Sequence, residues 1–105
     1  DAAQARAELA AAEFRRTVLE AAEETQGALA RAQELSAASE HADRAARQSQ
    51  QVSQLAEQRY RLGIDSLLQR LRQDRQTLER ELLARELRGE QLQAALRLER
   101  ALGRP

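Results

Sequence analysis

QRYRLGIDSLLQRL, residues 58–71, decides how this chain folds. Before it, from Asp1 to Leu62, there is no Pro and a single Gly, Gly27. Ala, Arg, Glu, Gln and Leu dominate that stretch, and they are the strongest helix formers. Gly63 is the first residue that reads as a helix end, because Gly enters the left-handed conformation past a C-terminus without a Cβ penalty. Asp65 and Ser66 are then both good N-caps, and Ser66 with Gln69 has capping-box spacing. The expected organisation is a long helix over 1–62, a tip turn at 63–65, a second helix over 66–102 and a truncated end at 103–105. A first helix of that length reaches roughly 90 Å at 1.5 Å per residue.

A short turn between two helices makes them antiparallel neighbours. The fold class is therefore all-α, a long antiparallel two-helix coiled-coil hairpin. Apolar periodicity agrees. In the first helix Ala28, Ala32, Leu35, Ala38, Ala42, Ala45, Ser49, Val52 and Ala56 recur every three or four residues. In the second, Ile64, Leu68, Leu71, Leu78, Leu82, Leu92 and Leu96 do so, interrupted by Arg75, Arg85 and Gly89. These are coiled-coil stripes. Folding back at the tip is expected to bring Ala56 near Leu71, Val52 near Leu78, Ala45 near Leu82 and Leu35 near Leu92. Small residues would then meet large ones across the seam without voids.

Two features exceed what a lone hairpin needs. The second helix carries another stripe, Leu83, Leu87, Ala94, Leu98 and Ala101, which either widens one buried face or meets a second neighbour. Residues 1 to about 25 have no partner within the chain, and they include Leu9, Phe14, Val18 and Leu19. Exposed apolar positions of this kind mark a missing partner.

Composition narrows the function. Charged residues make up 32% of the 105 residues, and the only aromatics are Phe14 and Tyr60, so a compact globular core is hard to build. There is no Cys, which excludes disulfides and thiolate metal sites. Seventeen basic residues balance seventeen acidic ones, against a basic nucleic-acid-binding face. Seven Arg stand against ten acids over 1–60, and ten Arg against seven acids over 61–105, so the two helices attract weakly. No apolar run approaches the ~20 residues of a membrane span. No Met opens the chain, and Asp1 reads as a cut within a longer protein, with any export signal upstream.

Four segments carry a family resemblance: FRRTVLEAAEETQGAL at 14–29, LAEQRYRLGIDSLL at 55–68, LRQDRQTL at 71–78 and ALGR at 101–104. Together they resemble the C-terminal periplasmic hairpin of the TolC-like outer membrane factors. In that family a Thr-Val-Leu-Glu-Ala start is followed by Arg-Tyr-x-x-Gly at the hairpin tip, Leu-Asp-Ala-x-Arg and a closing Ala-Leu-Gly-Gly. The resemblance implies a fragment of a trimeric α-barrel in an outer membrane channel of a Gram-negative bacterium. Such channels serve drug and metal efflux and type I secretion, with energy supplied by an inner-membrane transporter. It also implies that Leu62, Gly63, Ile64, Asp65 and Ser66 form a tip that docks the periplasmic membrane-fusion adaptor. Tyr60, Arg59, Arg72, Asp74 and Arg75 then fall in the network that opens and closes the channel. Two positions depart from the pattern. Arg72 stands where the family has Asp, with an acid only at Asp74, and Gly103-Arg104 replaces Gly-Gly.

The residues alone leave simpler alternatives open. Leu62 and Ile64 either dock a partner or seal the end of the seam, and Tyr60 is either a network member or a half-buried packing residue. The rival for the whole chain is a structural coiled-coil dimerisation or spacer module with no transport role. The adaptor's own hairpin has a similar shape, but no Gly- and Val-rich lipoyl-like half-motifs flank this one. No catalytic chemistry is expected. His41 is the single His, among scattered Glu34, Glu40 and Asp43, which is poor metal spacing. Glu79 and Glu86 lie among Arg75, Arg80 and Arg85 and read as salt-bridge partners, not an acid–base pair. No cofactor is implied.

Overall fold

The computed structural model describes residues 1–103. Arg104 and Pro105, on which the expected truncated end partly falls, lie outside the described residues. Two helices make up the fold: α1, Ala2–Arg61, and α2, Leu67–Ala101. They lie side by side as one antiparallel hairpin, with extents of 91 × 22 × 15 Å. Asp1 caps α1, its Oδ1 accepting from the Gln4 amide at 2.7 Å. Gly27 and Gly89 stay within the helices and break neither.

The turn is built from local backbone bonds. Gly63 has φ +74°, the left-handed conformation. The Gly63 amide donates to the Tyr60 carbonyl at 3.0 Å, and the Ile64 amide donates to the Arg59 carbonyl at 2.8 Å. This pair is the Schellman motif, which satisfies carbonyls that the helix end would otherwise orphan. Ser66 restarts the chain as N-cap of α2. Its Oγ accepts from the Gln69 amide at 3.2 Å, and its own amide donates to Gln69 Oε1 at 2.8 Å, a complete capping box.

The seam is narrow and made of small residues. On α1 it buries Leu35, Ser39, Ala42, Ala46 and Ser49, with Ala28, Ala32, Ala38, Ala45, Ser53 and Ala56 half-buried. On α2 it buries Thr77, Ala84 and Ala94, with Gln73, Leu87, Leu98 and Ala101 half-buried. Ala42, Ala46 and Ala84 pack together with Leu87 against them. Small residues on both sides let the backbones approach closely, which is how a core with so few large side chains can pack.

One expectation is overturned here. The stripe Leu68, Leu71, Leu78, Leu82, Leu92 and Leu96 does not face α1; each of these leucines is at least half exposed, Leu82 at 55%. Val52, on the expected α1 stripe, also points outward. The pairs Ala56–Leu71, Val52–Leu78, Ala45–Leu82 and Leu35–Leu92 therefore do not close the seam. The register along the hairpin is nevertheless close to the expected one, since Ser53 contacts Asp74, Ser49 contacts Thr77 and Asp43 contacts Arg88. What differs is the rotation of α2 about its axis. Of the weaker stripe, Leu87, Ala94, Leu98 and Ala101 face α1, whereas Leu83 is exposed like the leucine stripe, which is left over.

Beyond the end of α2 the long helix continues alone. The hydrogen bond across the hairpin farthest from the tip is Thr25 Oγ1 donating to the Ala101 carbonyl at 3.4 Å. Residues 1–24 are all exposed, Phe14 at 70%. This overhang is roughly 36 Å of helix at 1.5 Å per residue. Ala7, Ala11, Phe14, Val18 and Ala21 continue the three- and four-residue spacing of the α1 seam along it.

Candidate functional site

The tip of the hairpin concentrates the features that a binding surface needs. Leu62 is 75% exposed, and Ile64, Leu67 and Leu68 are also exposed, so the turn presents an apolar cap to solvent. That cap rests on a stiff base. The Schellman bonds fix Gly63 and Ile64, and Arg59 Nε pairs with Asp65 Oδ2 at 3.1 Å across the turn. Asp65 is largely covered by this contact, its side chain only 18% exposed. Ser66 is committed to the cap of α2 and Asp65 to Arg59. The outward-facing elements of the 62–66 segment are therefore Leu62, Ile64 and the backbone around Gly63.

Just behind the turn, a chain of polar contacts ties α1 to α2. The Arg70 guanidinium lies 5.3 Å from the centre of the Tyr60 ring, a cation–π distance. Arg70 also approaches Glu57 at 3.7 Å and Asp74 at 3.9 Å. Glu57 pairs with Arg61 at 2.6 Å, and the Ser53 hydroxyl donates to Asp74 Oδ1 at 2.7 Å. Tyr60 itself is half-buried. Of the residues expected in a tip network, Tyr60 and Asp74 are brought together through Arg70, and Arg59 is held at the turn. Arg75 pairs with Glu79 along α2 at 3.1 Å, away from the turn, and Arg72 makes no ion pair among the described residues.

Arg70, Glu57 and Ser53 were not expected in this network. Their sequence signal is only that Glu57 with Arg70 and Ser53 with Asp74 fit the expected register; which faces meet depends on the rotation of α2. Further from the tip, Arg88 Nη2 donates to Asp43 Oδ1 at 2.8 Å and Gln50 Nε2 donates to Glu81 Oε1 at 2.8 Å. Of these, Asp43 with Arg88, like Glu57 with Arg70, sets an acid on α1 against an arginine on α2, as the uneven charge of the two halves suggests. Among the described residues no group of acids and His is placed to hold a metal ion. His41 is exposed on α1.

The long hairpin, the tip turn and the four sequence segments converge on one relationship. The profile of the outer membrane efflux proteins matches residues 1–104, nearly the whole chain. The chain belongs to the outer membrane efflux protein family. No curated protein and no solved structure matches it. Membership makes it part of an outer-membrane-associated efflux component, in a family of transport proteins and not of enzymes. No helix among the described residues is long and apolar enough to cross a membrane.

Proposed function

We propose that the chain is a periplasmic α-barrel hairpin of an outer membrane channel through which drugs, metals or other solutes are exported. The observation that carries this reading is the leucine stripe on α2, turned away from α1 along the length of the helix. Leu68, Leu71, Leu78, Leu82, Leu92 and Leu96, with Arg75, Arg85 and Gly89 between them, form a second coiled-coil seam with no partner in the chain. A helix in the wall of a barrel needs two seams, one for each neighbour; a helix in a lone hairpin needs one. Three copies of the parent protein supply the neighbours.

In this reading the tip docks the membrane-fusion adaptor. The exposed Leu62 and Ile64 flank a Gly whose lack of a side chain permits close backbone approach, and the cap beneath them is stiff. Stiffness favours docking, because little ordering cost is left to offset at the moment of contact. Tyr60, Arg59, Arg72, Asp74 and Arg75 are the tip residues assigned to gating, with Arg70 the hub that couples Tyr60 to Asp74.

The test is export by the full-length channel carrying Gly63→Asp or Ile64→Asp, at trimer levels equal to the parent's. Both substitutions should impair export, since a carboxylate set against an apolar partner surface is desolvated without compensation. Ala42→Asp buries its charge in the seam and should instead reduce assembly. Normal export by both tip variants would leave the residues 62–64 as a turn only. Stable dimers of the hairpin without any channel would favour the rival coiled-coil spacer.

A further inference from the structure

The rotation of α2 poses a physical problem. Burying apolar surface is the dominant drive in helix pairing. The stripe that α2 buries contains Gln73 and Thr77, while the stripe that it leaves outside contains six leucines. Apolar burial alone selects the opposite face. Something specific to the observed face must outweigh it.

At the centre of the tip-side half of the seam lies a polar layer. Ser49 is 2% exposed and Thr77 7%, the most conspicuous buried polar pair between the helices. Their hydroxyls are 2.9 Å apart. Thr77 Oγ1 also lies 3.1 Å from the Ser49 carbonyl and 3.0 Å from the Gln73 carbonyl. Gln73 Nε2 reaches both hydroxyl oxygens at 3.4 Å. No buried side-chain polar atom among the described residues is left without a partner.

We propose that this Ser49–Thr77–Gln73 layer selects which face of α2 packs on α1, and so keeps the leucine stripe outside. If α2 turned to bury its leucines, Thr77 would leave the seam. Ser49 would then be enclosed by apolar side chains with no partner on the other helix. Burying a hydroxyl that has lost its cross-helix partner costs more than an ordinary hydrogen bond gains, so the layer acts mainly by penalising the wrong face. Single polar positions in coiled-coil seams are known to trade stability for one specific pairing. The small α1 seam supports the choice. On the observed face Ala84 packs directly on Ala42 and Ala46, with only Leu87 beside them, so the backbones approach closely there. The inference stands on the hairpin's own geometry and holds whether or not the chain lines a channel.

The chain has no Cys, so introduced pairs report cleanly. Ala42→Cys with Ala84→Cys reports the observed face, and Ala45→Cys with Leu82→Cys reports the turned face. Intramolecular disulfide formation is followed for each pair under dilute oxidising conditions. In the parent background the observed-face pair should form at least about tenfold faster, and Ser49→Ala with Thr77→Val should cut that ratio by about tenfold, the loss of a matched buried polar pair. Exchanging the hydroxyls, Ser49→Thr with Thr77→Ser, should keep the ratio, as should Asp43→Ala with Arg88→Ala, which removes only an exposed ion pair. An unchanged ratio in the Ala/Val variant overturns the proposal. So does an equal fall in either control, or a loss of helix in the Ala/Val variant, since the layer is assigned to choosing a face and not to forming the helices.

Discussion

Gly63 and Gly89 show how differently one residue type is used along this chain. Gly63 holds φ +74°, where an L side chain meets the following carbonyl, whereas Gly89 is helical and nothing lies within 4 Å of the space its Cβ would fill. Gly63→Ala should therefore destabilise the hairpin by about 1–2 kcal/mol. Gly89→Ala should stabilise it by about 0.5–1 kcal/mol, because Gly carries a larger entropy cost in a helix interior. Urea unfolding of the two variants checks both signs, and unchanged stability of Gly63→Ala would show that the turn does not depend on a left-handed residue. The cap at Ser66 is the other local determinant. Ser66→Ala removes one half of the capping box and should cost about 1 kcal/mol, read in the same titration. Both features were legible in the sequence, because a helix stop and a capping box are written within a few residues of each other. The ion pair of Arg59 with Asp65 is equally local. The contacts of Arg70 with Tyr60 and Glu57 were not legible, because they join residues across the turn and depend on the rotation of α2.

At the scale of the helices, periodicity gave the two stripes of α2 but not their partners. The leucine stripe is the more hydrophobic, and reading it as the seam follows from burial alone. The chain instead pairs Ala with Ala and Ser with Thr, where close approach and matched hydroxyls decide. Substitutions on the two stripes separate these readings in the isolated chain. Ala84→Asp places a charge in the tightest part of the seam and should cost about 3 kcal/mol or more of stability. Leu82→Asp, two residues away on the outward stripe, should change stability by less than about 0.5 kcal/mol. The α1 stripe was read more accurately, since its small residues leave no competing apolar face; only Val52 was misplaced, and Ser39, Ala46 and Ser53 were overlooked. The overhang makes a separate prediction. Amides of residues 5–24 have helical bonds but no packing across them, so in the isolated chain they should exchange with solvent faster than those of residues 35–49. Equal protection of the two segments would require a partner for the overhang within the chain.

At the scale of the whole molecule, the paired part of the hairpin has two outward apolar surfaces, which we assign to two different partners. The leucine stripe runs along its side and the Leu62–Ile64 cap crowns its end. The first is assigned to neighbouring helices of the channel wall and the second to the adaptor, and neither assignment could come from the hairpin's own packing. Site-specific photo-cross-linking in the full-length channel, in cells with the adaptor present, tests both together. A photoreactive side chain at Ile64 should capture the adaptor, one at Leu82 should capture another helix of the channel, and one at the buried Thr77 should capture only α1 of its own hairpin. Capture of the adaptor along the stripe at Leu82, or of channel subunits alone at Ile64, would contradict these assignments.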